Sequence, residues 1–139
     1  MDKIFVLDNS VVMSWCFGDE ANDYADAVLE ELTTARALVP AIWALEVVNV
    51  LLVAERKDRI KQAESTRFIN LLLQLPIDIE QLMPRAAIPG LLSLGRSLSL
   101  SSHDLAYLNL ALHSGCPLAT LDQKLIAAAE ETGVPLLRP

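Results

Sequence analysis

Short apolar runs alternate along this chain with longer amphipathic segments, and the alternation predicts its secondary structure. The short runs are rich in β-favouring residues and stop at polar, glycine or proline positions, which is typical of buried strands. We predict strands at residues 3–7, 37–39, 77–79, 118–121 and 134–137. Helices are predicted up to about residue 17, over about 20–35, 41–57, 61–75, 84–95 and 101–114, and from residue 122 to about 132. This order implies an α/β fold of three layers, with helices on both faces of a central parallel sheet of four to five strands.

Length and composition favour a single domain over residues 1–139. A chain of this length buries roughly two-thirds of its unfolded surface, and a hydrophobic share of 53% argues against disorder. No apolar run reaches the roughly 18 residues that a membrane span needs. The first residues lack the basic start and long apolar segment of a signal peptide, so we expect a cytoplasmic protein.

The two cysteines do not suggest a metal site. Cys16 and Cys116 lie 100 positions apart and belong to no ligand pattern, so we expect them to be apolar fillers without a disulfide. His113 and Cys116 have the spacing of half a zinc site, but the sequence offers no second half.

The net charge of −7 weighs against a nucleic-acid binder, because such proteins usually present a basic surface. Two explanations remain open: nucleic acid is not the partner, or bound cations offset part of the negative charge. One segment is locally basic and forms either a basic rim or a solvated helix end; it contains Arg56, Lys57, Arg59, Lys61 and Arg67.

Glu46 is the most informative residue, because it interrupts the apolar run of residues 41–54. Glu46 and Asn49 are the only polar residues of this predicted helix, and their spacing of three places them on the same face. A carboxylate held against a core costs several kcal/mol unless it is paired or binds a metal. Glu46 therefore requires a partner, either a cation in a structural salt bridge or a metal ion.

Three further acids lie where a shared site is possible. Asp8 and Asp122 follow predicted strands at the carboxyl edge of the sheet, where α/β proteins bind ligands. Asp104 lies in the first turn of a helix that we expect to lean over the same edge. Each also has a purely structural explanation: Asp8 as a turn residue, Asp104 in the capping box that begins at Ser101, and Asp122 as an N-cap.

Four carboxylates close together repel one another unless a cation lies among them. Oxygen ligands favour Mg²⁺ or Mn²⁺ over zinc. Such an ion can present water to a phosphodiester and stabilise charge on the transferring phosphoryl group. The four acids account for four of the seven net negative charges, and without them the net charge is −3. Divalent ions bound at the site would offset this charge, which weakens the argument that the protein is too acidic to bind nucleic acid.

Four segments, taken in order, resemble the motifs of PIN-domain proteins. They are Val6-Leu-Asp8-x-Ser10, Glu46-Val-Val-Asn49-Val-Leu51, Asp104-Leu-Ala-Tyr107-Leu-x-Leu-Ala111 and Leu118-Ala-Thr120-Leu-Asp122-x-x-Leu125. The chain length and the closing residues 133–137 are similar to the stand-alone bacterial members, the VapC-type toxins. The resemblance covers nearly the whole chain, and the last two motifs are the most specific.

This resemblance implies a PIN-like fold and a Mg²⁺- or Mn²⁺-dependent endoribonuclease, the toxin of a toxin–antitoxin pair. The implied metal ligands and catalytic residues are Asp8, Glu46, Asp104 and Asp122. Ser10, Asn49 and Thr120 would support them through hydrogen bonds to ligands or metal-bound water. The implied partners are RNA, a cognate antitoxin and a second copy of the chain. Leu105 departs from the pattern, since the family usually has a small residue there.

Two other functions compete with this interpretation. A haloacid-dehalogenase-like phosphatase also places a nucleophilic aspartate after its first strand, but it needs a second aspartate where this chain has Ser10. A catalytically inactive PIN-like binding module is the other alternative. The presence of all four acids argues against that module.

Overall fold

A parallel sheet forms the centre of the computed structural model, which describes residues 3–80 and 83–139. Its strands are β1 (Lys3–Leu7), β2 (Ala35–Pro40), β3 (Ile77–Glu80) and β4 (Leu118–Ala119). They lie in the order β3-β2-β1-β4, and every pairing is parallel. The predicted α/β class and parallel sheet are therefore confirmed, with four strands among the described residues.

Seven helices surround this sheet within the described ranges. They are α1 (Asn9–Cys16), α2 (Asp23–Glu31), α3 (Ile42–Arg56), α4 (Gln62–Leu72), α5 (Ile88–Leu98), α6 (Ser102–Ser114) and α7 (Gln123–Thr132). Short 3₁₀ turns at Gly18–Glu20 and Arg85–Ala87 precede α2 and α5. None of the helices in the described part of the chain is long and apolar enough to cross a membrane.

Burial along β1 shows that helices cover both faces of the sheet. Successive residues of a strand point to opposite faces, yet Phe5, Val6 and Leu7 are each at most 1% exposed. Helix α6 packs directly against β1 and β2. The result is the three-layer α/β/α arrangement that the sequence predicts.

The helix ends follow the signals in the sequence. Ser101 caps α6 by accepting a hydrogen bond from the Asp104 amide, and Asp122 caps α7. Helix α6 ends at Gly115 and α7 at Gly133, both with the positive φ that glycine tolerates best. The two N-caps lie at the edge of the sheet that carries the acids, and the two glycines lie where the chain returns to the opposite edge.

Several predicted boundaries differ from the structure, and three of the differences have a local reason. The helix predicted over 20–35 spans only Asp23–Glu31, because a 3₁₀ turn precedes it and β2 already begins at Ala35. Strand β4 ends at Ala119, since the Thr120 hydroxyl accepts the Asp122 amide and turns the chain. Residues 134–137 form a single bridge, between Leu136 and Leu118, because Pro135 has no N–H to donate.

The cysteines are free, as expected, and both are partly buried. Burial raises the pKa of the Cys16 thiol to about 11.

Within the basic segment, Arg59 forms ion pairs with Asp19 and Glu20 and lies over the Phe17 ring. These contacts of Arg59 favour a solvated helix end over a basic rim as the explanation of the basic segment.

Candidate active site

Asp8 is the buried centre of the candidate site. It follows β1 directly, is 5% exposed, and its Oδ2 accepts two hydrogen bonds. Ser10 Oγ donates at 2.6 Å and Thr120 Oγ1 at 2.8 Å. Each hydroxyl also accepts a hydrogen bond from a backbone amide: Leu121 N donates to Ser10 Oγ and Asp122 N donates to Thr120 Oγ1, both at 3.0 Å. This network connects the loops that follow β1 and β4.

Glu46 lies on the side of α3 that approaches α6. Its side chain is 19% exposed, and Tyr107 Oη donates a 2.5 Å hydrogen bond to its Oε1. The other oxygen, Oε2, is 3.7 Å from His103 Nδ1. Tyr107 belongs to one of the motifs found in the sequence, but the sequence analysis assigned it no role. Its signal was the spacing of three from Asp104, which places both side chains near one face of α6.

Asp104 and Asp122 begin the helices α6 and α7. The Asp104 amide donates to Ser101 Oγ at 3.2 Å, which confirms the predicted cap. Asp122 Oδ1 accepts the amides of Lys124 and Leu125 at 2.9 and 3.1 Å, as an N-cap does. The structural explanation of Asp122 is therefore correct for one of its two oxygens.

Electrostatic interactions join the four acids into one neighbourhood. Burial raises the pKa of Asp8, and hydrogen bonds from Ser10 and Thr120 oppose the rise. The charges of Glu46 and Asp122 raise it further. Burial also raises the pKa of Asp104, and the charges of Asp122 and Asp8 add to that rise. Two of the four carboxyl groups thus favour the neutral form more than usual.

The four side chains do not form a ready-made metal cage. Across residues 3–80 and 83–139, no three histidine, cysteine, aspartate or glutamate side chains are close enough to hold one ion. The donor chemistry nevertheless fits Mg²⁺ or Mn²⁺, because every group is a carboxylate oxygen. Repulsion that raises the pKa of Asp8 and Asp104 is what a divalent cation would relieve.

The predicted supporting residues divide into two groups. Ser10 and Thr120 both bind Asp8, so the structure places them beside a predicted ligand. Asn49 is exposed on α3, and its side chain makes no hydrogen bond to the described residues. Leu105 is buried and packs near Gly95 of α5. The roles assigned to all of these residues stay predictions.

The parallel sheet with four acids near its carboxyl edge is consistent with the PIN-domain fold, and comparison with known proteins agrees with this assignment. The family model described as PIN domain matches residues 5–131, so the chain belongs to the PIN-domain family. Members of this family are generally nucleases, which supports a nuclease function.

Solved structures of the same fold include two similar chains. PAE2754 from Pyrobaculum aerophilum is 20% identical with a TM-score of 0.69, covering 92% of this chain and 87% of that one. VapBC2 from Rickettsia felis, solved bound to a DNA fragment from its promoter, is 13% identical with a TM-score of 0.67 and 97% coverage of both chains. At these identities the likeness shows the fold alone. A search of curated proteins finds no significant match to the sequence.

Proposed function

We propose that this protein is a Mg²⁺- or Mn²⁺-dependent endoribonuclease and the toxin of a toxin–antitoxin pair. The observation that carries the proposal is the buried Asp8, whose pKa is raised by burial and by neighbouring acids at the carboxyl edge of a PIN fold. Acids with a perturbed pKa in such a position are candidates for catalysis.

Four carboxylates would hold the divalent ion: Asp8, Glu46, Asp104 and Asp122. A bound ion supplies an activated water and stabilises negative charge on the phosphoryl group being transferred. The protein's own contribution is orientation. Ser10 and Thr120 fix Asp8, and the first amides of α7 fix Asp122. Asn49, although exposed, lies on the same helix as Glu46, where it is available to RNA or to metal-bound water.

An antitoxin and a second copy of the chain are the proposed protein partners. The likeness to the Rickettsia felis VapBC2 complex supports the antitoxin. Three apolar residues of α3 face solvent and form an exposed row on this helix, which supports association with an antitoxin or with a second copy of the chain. Leu45, Val48 and Leu52 are 71%, 49% and 45% exposed, and their spacing places them on one side of the helix.

The test of the enzymatic proposal is metal-dependent cleavage of RNA. Asp8→Asn and Asp104→Asn should each abolish cleavage, because each removes a ligand charge with little change of shape. Glu130→Gln is the matched control, since it neutralises an exposed carboxylate on α7 and should cleave like wild type. Wild-type rates in both aspartate variants would overturn the assigned roles.

A catalytically inactive PIN-like binding module is the second candidate. The spacing of the four carboxylates favours it, because no three of them are close enough to hold an ion. The two functions differ in one experiment: the module binds RNA without cleaving it in Mg²⁺ or Mn²⁺. A generic phosphatase substrate in the same assay tests the dehalogenase-like alternative.

A further inference from the structure

We infer that Tyr107 is a positioning residue that holds Glu46 by one oxygen and leaves the other available to a divalent ion; this inference rests on the proposed function. Tyr107 lies on α6 and is 1% exposed, and its hydroxyl donates to Glu46 Oε1 at 2.5 Å. The two residues are 61 positions apart, so the contact joins α3 to α6 at the level of the site.

A common arrangement of the carboxylates supports this role. Asp8 is bound through Oδ2 by two hydroxyls, and Asp122 through Oδ1 by two backbone amides. In both residues, no hydrogen bond from the described part of the chain reaches the second oxygen. Tyr107 gives Glu46 a similar arrangement, with Oε1 bound and Oε2 at 3.7 Å from His103 Nδ1, beyond hydrogen-bond distance.

The arrangement has a consequence for metal binding. A glutamate side chain has three rotatable bonds, and an oxygen fixed by a buried phenol removes most of that freedom. With Oε1 held by Tyr107, Oε2 is the oxygen that Glu46 would offer to an ion. Mg²⁺ demands near-ideal octahedral geometry, so a ligand of fixed direction matters more for it than for a flexible calcium site.

Tyr107→Phe tests this inference because phenylalanine keeps the buried ring and removes only the hydroxyl. Free Mn²⁺ measured by electron paramagnetic resonance gives the dissociation constant without relying on activity. We expect Mn²⁺ affinity to fall about tenfold or more, the usual effect of losing a group that orients a ligand. The divalent-specific rise in melting temperature should shrink with it.

Tyr24→Phe is the matched control. Its hydroxyl donates to the Leu137 carbonyl at 2.9 Å and also interacts with the Thr120 backbone, so the same chemical change removes contacts to the backbone and none to a carboxylate. If Tyr107 only supported the fold, its variant would behave like this control, with lower melting temperatures in EDTA and in Mn²⁺ and unchanged Mn²⁺ affinity. That outcome would overturn the inference.

A second measurement uses Glu46→Gln. Because Tyr107 is inferred to act through Glu46, adding Tyr107→Phe to Glu46→Gln should cause little further loss of Mn²⁺ affinity. Independent, additive losses would contradict the inference, and this comparison needs only variants that fold. If wild type itself binds no Mn²⁺, the proposed function fails; if wild type binds and Tyr107→Phe binds equally well, only the positioning role fails.

Discussion

Replacing Asp8 with asparagine is expected to change stability in opposite directions with and without divalent ions. Burial raises the folded-state pKa of Asp8 even though two hydroxyls donate to its Oδ2. A carboxyl group with a raised folded-state pKa opposes folding once it ionises. Asparagine removes that cost, and its carbonyl oxygen can accept the same two hydrogen bonds. The metal-free variant should therefore be more stable than wild type at neutral pH.

The opposing contributions can be compared in size. A hydrogen bond to a charged acceptor is worth about 1 kcal/mol more than one to a neutral acceptor, so the exchange weakens the two bonds to Asp8 by roughly 2 kcal/mol in all. The upward direction of the Asp8 pKa shows that desolvation and repulsion exceed this contribution. In metal the balance reverses, because an ion at about 100 times its dissociation constant stabilises wild type by roughly 2.7 kcal/mol. With an unfolding entropy of about 0.3 kcal/mol/K for 139 residues, this is about 9 °C.

Thermal melts by circular dichroism at pH 7 decide the matter. In EDTA the Asp8→Asn variant should melt above wild type, and in saturating Mn²⁺ wild type should melt above the variant. Monovalent salt at matched ionic strength is the control, because screening is not coordination. A wild type that melts at the same temperature in EDTA and in Mn²⁺ would refute the acidic metal site, and a variant less stable than wild type in EDTA would refute the electrostatic argument.

Three further predictions follow from the same geometry. In EDTA, the raised folded-state pKa values of Asp8 and Asp104 contribute stability that is fully present below about pH 3.8 and is lost as the pH rises through those values. The melting temperature of wild type should therefore fall over that range more steeply than that of an Asp8→Asn, Asp104→Asn double variant. Equal slopes would contradict the prediction. Thr120→Val should lower the free energy of unfolding by about 1–3 kcal/mol in denaturant melts, because it removes a buried hydroxyl with two partners, whereas Thr120→Ser should be closer to wild type. Leu45→Glu should weaken self-association in sedimentation and leave the melting temperature of the dilute monomer nearly unchanged, and an unaltered dimer would exclude this part of α3 from the interface.

The sequence predicted best the parts of the site that depend on local structure. Asp8 follows a strand whose apolar residues are buried on both faces, and the caps at Ser101 and Asp122 depend on neighbours within three residues. Such short-range signals need no knowledge of tertiary packing. Glu46 was identified for a related reason, since a carboxylate within an apolar helix demands a partner.

The difference in exposure between Glu46 and Asn49 has a geometric cause. The buried residues of α3 are Trp43, Val47, Leu51 and Ala54. Glu46 is adjacent to Val47 and three positions from Trp43, so it lies at the border of that face. Asn49 lies midway between Val47 and Leu51 in sequence, which turns it away from the core. A spacing of three residues places side chains on neighbouring parts of a helix, and here the border of the buried face passes between them.

Tyr107 depends on packing that no local pattern encodes. Its partner Glu46 is on a different helix, and the contact exists only because α3 and α6 both approach the edge near β1. A sequence shows that a buried tyrosine needs an acceptor, but it does not show which one. The exposed apolar row on α3 is a similar case, because a helix that is apolar on every side looks buried in the sequence whether its own domain or another molecule covers it.

The location of four acids in the proposed site suggests how an acidic protein would act on an acidic substrate. The proposed site contains four of the 18 acidic residues, and its charge is the part that divalent ions would offset on binding. Lys124 is exposed two residues after Asp122, and His103 lies beside Glu46. Ion binding would thus offset the repulsion that the four carboxylates of the site exert on a phosphodiester. RNA affinity should accordingly depend on divalent ions far more steeply than on the overall charge of the protein.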